Sequence, residues 1–217
     1  MDFENVTVLN HPILMHNLAI IRNKESTREQ FLLAFKKIAY FLIEKGFSKL
    51  PMQEVEIETP IESVNVKVID SDYTYIVAPI LRAGLALTDV AVDLLPSAHV
   101  LHVGMYRDEE TKNPVWYYDK TPTKLPQKTK VFILDPMLAT GGSAVAGADL
   151  FVKKGVDVKD IVFISVLSAP EGLKVLQEAY PELQIVTGSI DKCLNENAYI
   201  VPGLGDAGDR YFNSLIP

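Results

Sequence analysis

The segment Val131–Ala148, VFILDPMLATGGSAVAGA, carries the strongest structural signal in this chain of 217 residues. Its first four residues are apolar and are bounded like a strand buried in a parallel sheet. Asp135 follows, then a loop of small residues, Leu138–Ser143, and an Ala-rich stretch that can form a helix. This order predicts a phosphate site, because glycines let the backbone approach a ligand and the first helical N–H groups point at it.

The polar residues of this segment predict the kind of phosphate that is bound. The hydroxyls of Thr140 and Ser143 and the loop amides can hold a monoester phosphate, while Asp135 can accept hydrogen bonds from two sugar hydroxyls. Together they favour a ribose 5-phosphate. The alternative is an ordinary strand-to-helix turn with a capping serine. The loop lacks the Gly-Lys-Ser/Thr of an ATPase loop and the second glycine of a nucleophile elbow.

Composition excludes several classes of protein. The net charge of −7, with no block of Lys or Arg, argues against nucleic acid as the main partner. The single cysteine, Cys193, cannot form an internal disulfide, so a cytoplasmic location is expected. The acidic start lacks an apolar signal core, and the longest apolar run, 31–43, is too short to span a membrane. The four histidines are not at metal-ligand spacing.

The N-terminal part is expected to contain little sheet. Residues 1–24 are predicted to be an irregular arm with one short strand. Ser26 and Glu29 form a capping-box pattern, which predicts a helix to about Lys45 that ends at Gly46. Apolar residues surround most of this helix, so we predict that part of it packs against a second subunit.

An α/β unit follows, after two half-exposed strands at 54–58 and 64–68. Buried strands alternate with helices, and the strands are predicted at 75–80, 98–106, 131–134, 161–167 and 184–187. This alternation predicts a mostly parallel sheet with helices on both faces. Ligands bind at the carboxyl ends of such strands, where Arg82, Arg107 and Asp135 are each expected to lie.

We expect one domain over residues 1–217, divided into an arm with a helix and strands (1–72), an α/β core (73–190) and a C-terminal segment (191–217). We call this last segment the hood. Its glycines at 203, 205 and 208 match the dinucleotide fingerprint, but too few residues follow for the required helix and strand. The hood is instead predicted to be a surface loop that presents backbone groups to a flat ligand. The polar stretch 108–124 is the candidate lid.

Four sequence blocks resemble the signature blocks of the uracil phosphoribosyltransferases: Val77–Gly84, Gly104–Thr111, Asp135–Ser143 and Val201–Arg210. The similarity extends from His11 nearly to the C-terminus, and Pro136 follows a single acidic residue as in the uracil enzymes. The resemblance implies the type I phosphoribosyltransferase fold. It implies the conversion of uracil and 5-phospho-α-D-ribose 1-diphosphate (PRPP) to UMP and diphosphate in pyrimidine salvage. It also implies Mg²⁺, carried mainly by PRPP and waters rather than by protein ligands.

The resemblance also implies roles for individual residues. Arg82 and Arg107 would hold the diphosphate, and with Asp206 they are the candidate catalytic residues. The ribose and its 5-phosphate would be held by Asp135, Pro136, Met137, Leu138, Ala139, Thr140, Gly141, Gly142 and Ser143. Uracil would be bound by Ile200, Gly205, Asp206 and Ala207, with Asp206 also near PRPP. Such a reaction needs no covalent nucleophile, because fixed positive charge can stabilise the leaving diphosphate.

Partners and alternatives follow from the same resemblance. A homo-oligomer, dimer or tetramer, is implied, and GTP activates some family members. Leu32 and the run 43–45 depart from the family pattern in regions that serve oligomer contacts and GTP activation. One alternative function is a non-catalytic regulator that senses pyrimidines or PRPP. Another is transfer to a different base such as xanthine or orotate; within residues 195–210 of the hood, Arg210 is the one cationic candidate for orotate.

Overall fold

The computed structural model describes residue 3, residues 5–107 and residues 114–214, without the side chains of residues 106, 107 and 114. Its helices are α1 (Pro12–Arg22), α2 (Arg28–Phe47), α3 (Leu85–Leu94), α4 (Gly142–Lys153), α5 (Pro170–Ala179) and α6 (Ala207–Phe212), with a 3-10 turn at Val158–Asp160. The first seven strands are β1 (Val6–Val8), β2 (Met52–Glu58), β3 (Ser63–Ile69), β4 (Thr74–Leu81), β5 (His99–Val100), β6 (Val103–Arg107) and β7 (Pro114–Asp119). The remaining strands are β8 (Thr129–Leu134), β9 (Met137–Leu138), β10 (Ile161–Ser168), β11 (Gln184–Ile190), β12 (Cys193–Leu194) and β13 (Ile200–Val201).

The central sheet has the strand order β1-β11-β10-β8-β4-β6-β7, with β5 paired to β4 and β9 paired to β10. Every pairing in it is parallel except that of β6 with β7 at one edge. Helices cover both faces, which confirms the predicted α/β class.

Strand β8 shows how the apolar sequence builds two cores. Successive side chains of a strand point to opposite faces of a sheet. Phe132 and Leu134 therefore pack with α1, α2 and α3, whereas Val131 and Ile133 pack with α4 and α5. Because both faces are covered, the strand is continuously apolar from Val131 to Leu134 rather than alternating.

The predicted irregular arm is wrong over residues 12–22, which form helix α1. Pro12 occupies its first turn, and the Nδ1 atom of His11 caps it by accepting a hydrogen bond from the Ile13 amide at 3.2 Å. Leu14 and Ile21 are buried, at the helical spacing that fits one face on the core.

Helix α2 differs from its prediction at both ends. Thr27, not Ser26, is the N-cap, and it forms the capping box with Gln30. Gly46 does not end the helix, which continues to Phe47. A Cβ at Gly46 would collide with the side chain of Ile164, so this glycine lets α2 pack closely on β10.

Most of the apolar circumference of α2 is covered within the chain. The helix contacts α1, α3 and α6 as well as strands β10 and β11. Leu33 is left 56% exposed, so burial inside one subunit accounts for most but not all of the pattern that suggested a second subunit, and the oligomer stays a prediction. Strands β2 and β3 form the expected half-exposed antiparallel hairpin.

The predicted strand 98–106 is divided into β5 and β6. Part of the candidate lid, residues 108–113, lies outside the described residues, and residues 114–119 form edge strand β7. The hood is more regular than expected, with a β12–β13 ladder and helix α6. None of the helices in the described ranges is both long and apolar enough to span a bilayer.

Candidate active site

Asp135 follows β8 at the carboxyl edge of the sheet. Its amide donates to the Ile164 carbonyl at 3.2 Å, which extends the pairing with β10 by one residue. Its Oδ1 atom accepts a hydrogen bond from the Met137 amide at 3.3 Å. The carboxylate is thus half-buried and held on the last turn before the phosphate loop, which we define as Leu138–Ser143.

The phosphate loop leads directly into α4. The N-cap of α4 is Gly141, in the left-handed region with φ of 85°, and no side chain caps this helix. The capping serine of the alternative prediction is therefore wrong, because Ser143 lies inside the first turn. An uncapped helix N-terminus leaves backbone N–H groups available, and its dipole favours an anion.

The phosphate loop packs closely on α5 through two glycines, Gly141 in the loop and Gly172 in the helix. A Cβ at Gly141 would lie 2.8 Å from the Gly172 carbonyl oxygen and 2.9 Å from Val175 Cβ. A Cβ at Gly172 would collide with the Ala139 backbone. Side chains are excluded at both positions, so the loop lies closer to α5 than other residues would permit.

Arg82 follows β4 at the same edge, and the Leu81–Arg82 peptide bond is cis. Its Nη2 atom donates to Asp209 Oδ1 of the hood at 3.2 Å. The Arg82 side chain is 62% exposed, so this pair stabilises the fold by at most about 1 kcal/mol. Gly84 allows the turn to pack on the end of β8, where a Cβ would collide with the Leu134 carbonyl.

A cavity of about 360 Å³ lies between the phosphate loop and the hood. Seven of the predicted site residues line it, namely Met137, Ala139, Ser143, Ile200, Gly205, Asp206 and Ala207. Ala83, Gly208 and the run 197–199 complete the described lining. Among these lining residues Asp206 is the only charged one, and its Oδ1 atom caps α6 by accepting from the Asp209 amide at 2.8 Å.

The other predicted residues are placed differently. Pro136 and Leu138 are buried, their carbonyl groups accept from the backbone of β10 and Ala169, and neither residue is among those that line the cavity. Thr140, Gly141 and Gly142 belong to the phosphate loop and the start of α4. Arg107 ends β6, and its side chain lies outside the described residues.

Two hood anchors were not found from the sequence. Arg22, at the end of α1, forms a two-pronged ion pair with Asp191 at 2.7 and 2.5 Å. Gly203 bridges the pair, since its amide donates to Asp191 at 2.9 Å and its carbonyl accepts from Arg22 at 2.9 Å. The sequence signal for this anchor is Arg22 itself, a basic residue in the last turn of a helix. That signal can be recognised only once residues 12–22 are known to form α1.

Arg210 is the second anchor. Its guanidinium donates to the carbonyls of Ile21, Asn23 and Leu204, and it lies 4.5 Å from the centre of the Phe31 ring. Burial lowers the pKa of Arg210. Asp209 and Arg210 are neighbours in the sequence but have different partners: Asp209 contacts Arg82, and Arg210 contacts backbone carbonyls.

The environment of Asp191 favours its charged form. Burial by itself would raise the pKa of this carboxyl group, and the hydrogen bonds and charge of Arg22 oppose it. The Gly203 amide and the Ser189 hydroxyl add two further hydrogen bonds to the carboxylate. The net result is a pKa below the usual range for aspartate.

Asp191→Asn should destabilise the protein in a pH-dependent way. The side chain is 2% exposed, and breaking a buried pair costs about 3–5 kcal/mol in the free energy of unfolding. Because the folded pKa is the lower one, the carboxylate stabilises above the unfolded pKa of about 3.9 and loses this effect as the pH falls through the folded pKa. Denaturant unfolding should show the full difference at neutral pH and a smaller one below about pH 4. A difference that does not change with pH would contradict this assignment.

Single carboxylates, rather than a cluster of side chains, are the groups at this site that could contact a metal ion. Among the described residues, no cluster of three or more His, Cys, Asp or Glu side chains could hold an ion. Asp206 lines the cavity, and the Asp135 carboxylate accepts a hydrogen bond from the amide of Met137, which lines it too. Such a donor set fits Mg²⁺, which accepts one or two carboxylates together with phosphate oxygens and waters.

The fold and the site together define a class, the type I phosphoribosyltransferases. The adenine phosphoribosyltransferase of Trypanosoma brucei, solved with AMP, pyrophosphate and ribose 5-phosphate, has the same fold, with a TM-score of 0.55. It is 14% identical to this chain and covers 93% of this chain and 88% of its own.

The chain belongs to the uracil phosphoribosyltransferase family, whose sequence profile matches residues 8–214. A uracil phosphoribosyltransferase of Lactococcus lactis subsp. cremoris is 45% identical over 207 residues, which are 95% of this chain and 97% of the relative. A solved structure from Aquifex aeolicus is 31% identical, with a TM-score of 0.88 over 98% of this chain and 100% of the other.

Proposed function

We propose that this protein transfers the phosphoribosyl group of PRPP to uracil, giving UMP and diphosphate. The observation that carries the proposal is the cavity between the phosphate loop and the hood, which offers a phosphate site on one side and backbone groups for a base on the other. In the reaction a bond forms between N1 of uracil and the anomeric carbon, the bond from that carbon to diphosphate breaks, and the N1 proton leaves to solvent.

The sugar phosphate is proposed to lie at the start of α4. The uncapped amides of the first turn and the hydroxyls of Thr140 and Ser143 would bind the 5-phosphate. Asp135 would accept hydrogen bonds from the two ribose hydroxyls. Its carboxylate is already oriented by the Met137 amide, which reduces the entropy lost when the sugar binds.

Arg82 and Arg107 are proposed to bind the diphosphate. Guanidinium groups match phosphate oxygens in pairs, and they would stabilise negative charge as it grows on the leaving group. The exposed contact of Arg82 with Asp209 costs little to break, so Arg82 can exchange this carboxylate for diphosphate. Residues 108–124 are the proposed lid that would exclude water from the reacting carbon.

A neutral base fits the cavity better than an anionic one. The charged residue in its described lining is Asp206, which would repel orotate. Arg210, the cation that orotate would require, is bound to three backbone carbonyls at the end of α1 and in the hood. Backbone groups near Ile200 and Gly205–Ala207 can match the oxygens and N–H groups of uracil and would be left unpaired against cytosine.

We propose Mg²⁺ as the cofactor, held mainly by the diphosphate oxygens and waters. When bound, it neutralises charge on the leaving diphosphate. We also propose a cytoplasmic homo-oligomer, with GTP as a candidate activator. Activity titrated with GTP while the mass is measured by light scattering tests both the oligomer and its regulation.

The direct test is incubation of the purified protein with labelled uracil, PRPP and Mg²⁺. UMP and diphosphate should form in equal amounts, and removal of Mg²⁺ with a chelator should stop the reaction. Binding of PRPP without any UMP would support the regulator instead. Turnover of xanthine or orotate in place of uracil would support a different base specificity.

Asp135→Asn should weaken PRPP binding by about 10- to 100-fold, because a hydrogen bond to a charged group contributes about 1.5–3 kcal/mol. Asparagine keeps an oxygen for the Met137 amide, so the fold should persist. Calorimetric titration with PRPP and Mg²⁺ measures the effect. Asp149→Asn is the matched control, since that carboxylate lies further along α4 and pairs with Lys153 and Tyr180. Unchanged affinity in Asp135→Asn would place the ribose contact elsewhere.

A further inference from the structure

We infer that the C-terminal end of α1 sets the affinity for the base, because Arg22 and Asp191 fix the position of the hood segment that binds uracil. This inference rests on the proposed function. Neither residue lines the described cavity, so both are positioning residues rather than catalytic ones.

The first step is that the ion pair fixes one residue of the hood, Gly203, through the peptide units on both of its sides. The amide of Gly203 donates to Asp191, and its carbonyl accepts from Arg22, each at 2.9 Å. Gly203 has a φ of 61°, and a Cβ there would collide with the Ile200 carbonyl. Gly203 is therefore held in one conformation, in the sequence between the two parts of the proposed uracil site, Ile200 and Gly205–Ala207.

The second step is that the ion pair is itself fixed to rigid elements. The Asp191 amide donates to the Ser168 carbonyl of β10 at 2.8 Å, and its Oδ1 atom accepts from Ser189 at 3.0 Å. Arg22 ends α1, whose apolar face is buried in the core. The hood is thus attached to both the sheet and the helix layer. The phosphate loop is attached to the same strand, β10, through the pairing of β9 with β10.

The third step is a second tether one residue further along. Arg210 donates to the Leu204 carbonyl at 2.9 Å and to the carbonyls of Ile21 and Asn23. The last carbonyls of a helix lack intrahelical partners, so the end of α1 supplies acceptors at no cost to its own hydrogen bonds. Consecutive hood residues, Gly203 and Leu204, are therefore both tied to one helix terminus.

The consequence is a selective effect on the base. If uracil is recognised by backbone groups, a shift of the hood by about 1 Å should lower kcat/KM for uracil by roughly 10- to 100-fold. The phosphate loop is supported separately by α5, so PRPP binding should change much less than uracil binding, the hood contributing to it only through Asp206 and the Asp209 contact of Arg82. A residue that merely stabilised the fold would affect both substrates or neither.

The test compares Arg22→Lys and Arg22→Met with wild-type protein, well below the unfolding temperature of each. Lysine keeps the charge but cannot bind the carboxylate and the Gly203 carbonyl as a fork. We expect the KM for uracil to rise roughly 10-fold in Arg22→Lys and more in Arg22→Met, with a much smaller change in the PRPP affinity measured by calorimetry. Arg210→Lys should show the same selectivity and decides the matter if Arg22→Met fails to fold.

Lys130→Met is the matched control. It breaks another buried ion pair, that of Lys130 with Asp160 at 3.5 Å, near the amino ends of β8 and β10. It should lower the unfolding midpoint without changing the KM for uracil. The inference is overturned if Arg22→Lys keeps its uracil KM within about two-fold, if PRPP affinity falls equally, or if the control behaves like Arg22→Lys. Wild-type protein that makes no UMP overturns the proposed function and this inference together.

Discussion

Arg107→Ala should lower kcat by about 10³-fold while the fold persists, since a lost charged donor at a transition state costs about this much. Arg107 ends β6, whose residue Gly104 pairs with Leu81, the residue before Arg82. The two arginines therefore start from neighbouring strands at the same edge of the sheet. Steady-state rates of UMP formation at saturating substrates measure the effect.

Arg107→Lys separates charge from shape in this experiment. Lysine supplies the charge without the planar fork, so its rate should lie between those of wild-type protein and Arg107→Ala. The thermal midpoint should be unchanged in both variants. A near-normal rate for Arg107→Ala would remove this residue from the mechanism. Arg82 and the metal would then be the groups that stabilise the leaving diphosphate.

Gly141→Ala should lower kcat/KM for PRPP by about 10²-fold or more. The new Cβ would meet the Gly172 carbonyl oxygen at 2.8 Å and Val175 Cβ at 2.9 Å, in a backbone with φ of 85°. The loop must then move away from α5, and the amides at the start of α4 move with it. Calorimetry with PRPP should show the loss in the absence of uracil.

Gly155→Ala provides the control for backbone strain. Gly155 has a φ of 95°, but a Cβ there would have nothing within 4 Å. The left-handed conformation should cost about 1–2 kcal/mol in both variants, so their losses of stability share this contribution. Normal PRPP binding in Gly155→Ala together with weak binding in Gly141→Ala would assign the defect to the collision. Equal binding in both variants would contradict the proposed role of the loop.

Local sequence patterns were most informative where one element specifies its own structure. The four apolar residues before Asp135 predicted a buried strand, and the glycines after it predicted an uncapped turn into α4. The prediction was poorer for α1, which was expected to be irregular although His11 and Pro12 are a helix cap and a first-turn proline. It was also poorer for α6, since Asp206 reads as a turn residue until its side chain is seen to cap a helix.

The composition of α2 illustrates a second difficulty. An apolar circumference shows that a helix is covered on several sides, but it does not say by what. The structure supplies α1, α3, α6 and the sheet as the covering elements. Similarly, Gly46 satisfied the rule for a helix end, while the close approach of Ile164 explains why a glycine lies inside the helix.

The sequence by itself determined the α/β class, the phosphate loop and the family, because each depends on residues close together in the chain. Only the tertiary structure placed the hood over the loop and joined Arg22 to Asp191, which are 169 residues apart. Contacts of that separation depend on how helices and strands pack, and no local pattern encodes them. The chemistry of the proposed phosphate site is therefore local in the sequence, whereas the position of the proposed base site is a property of the folded chain.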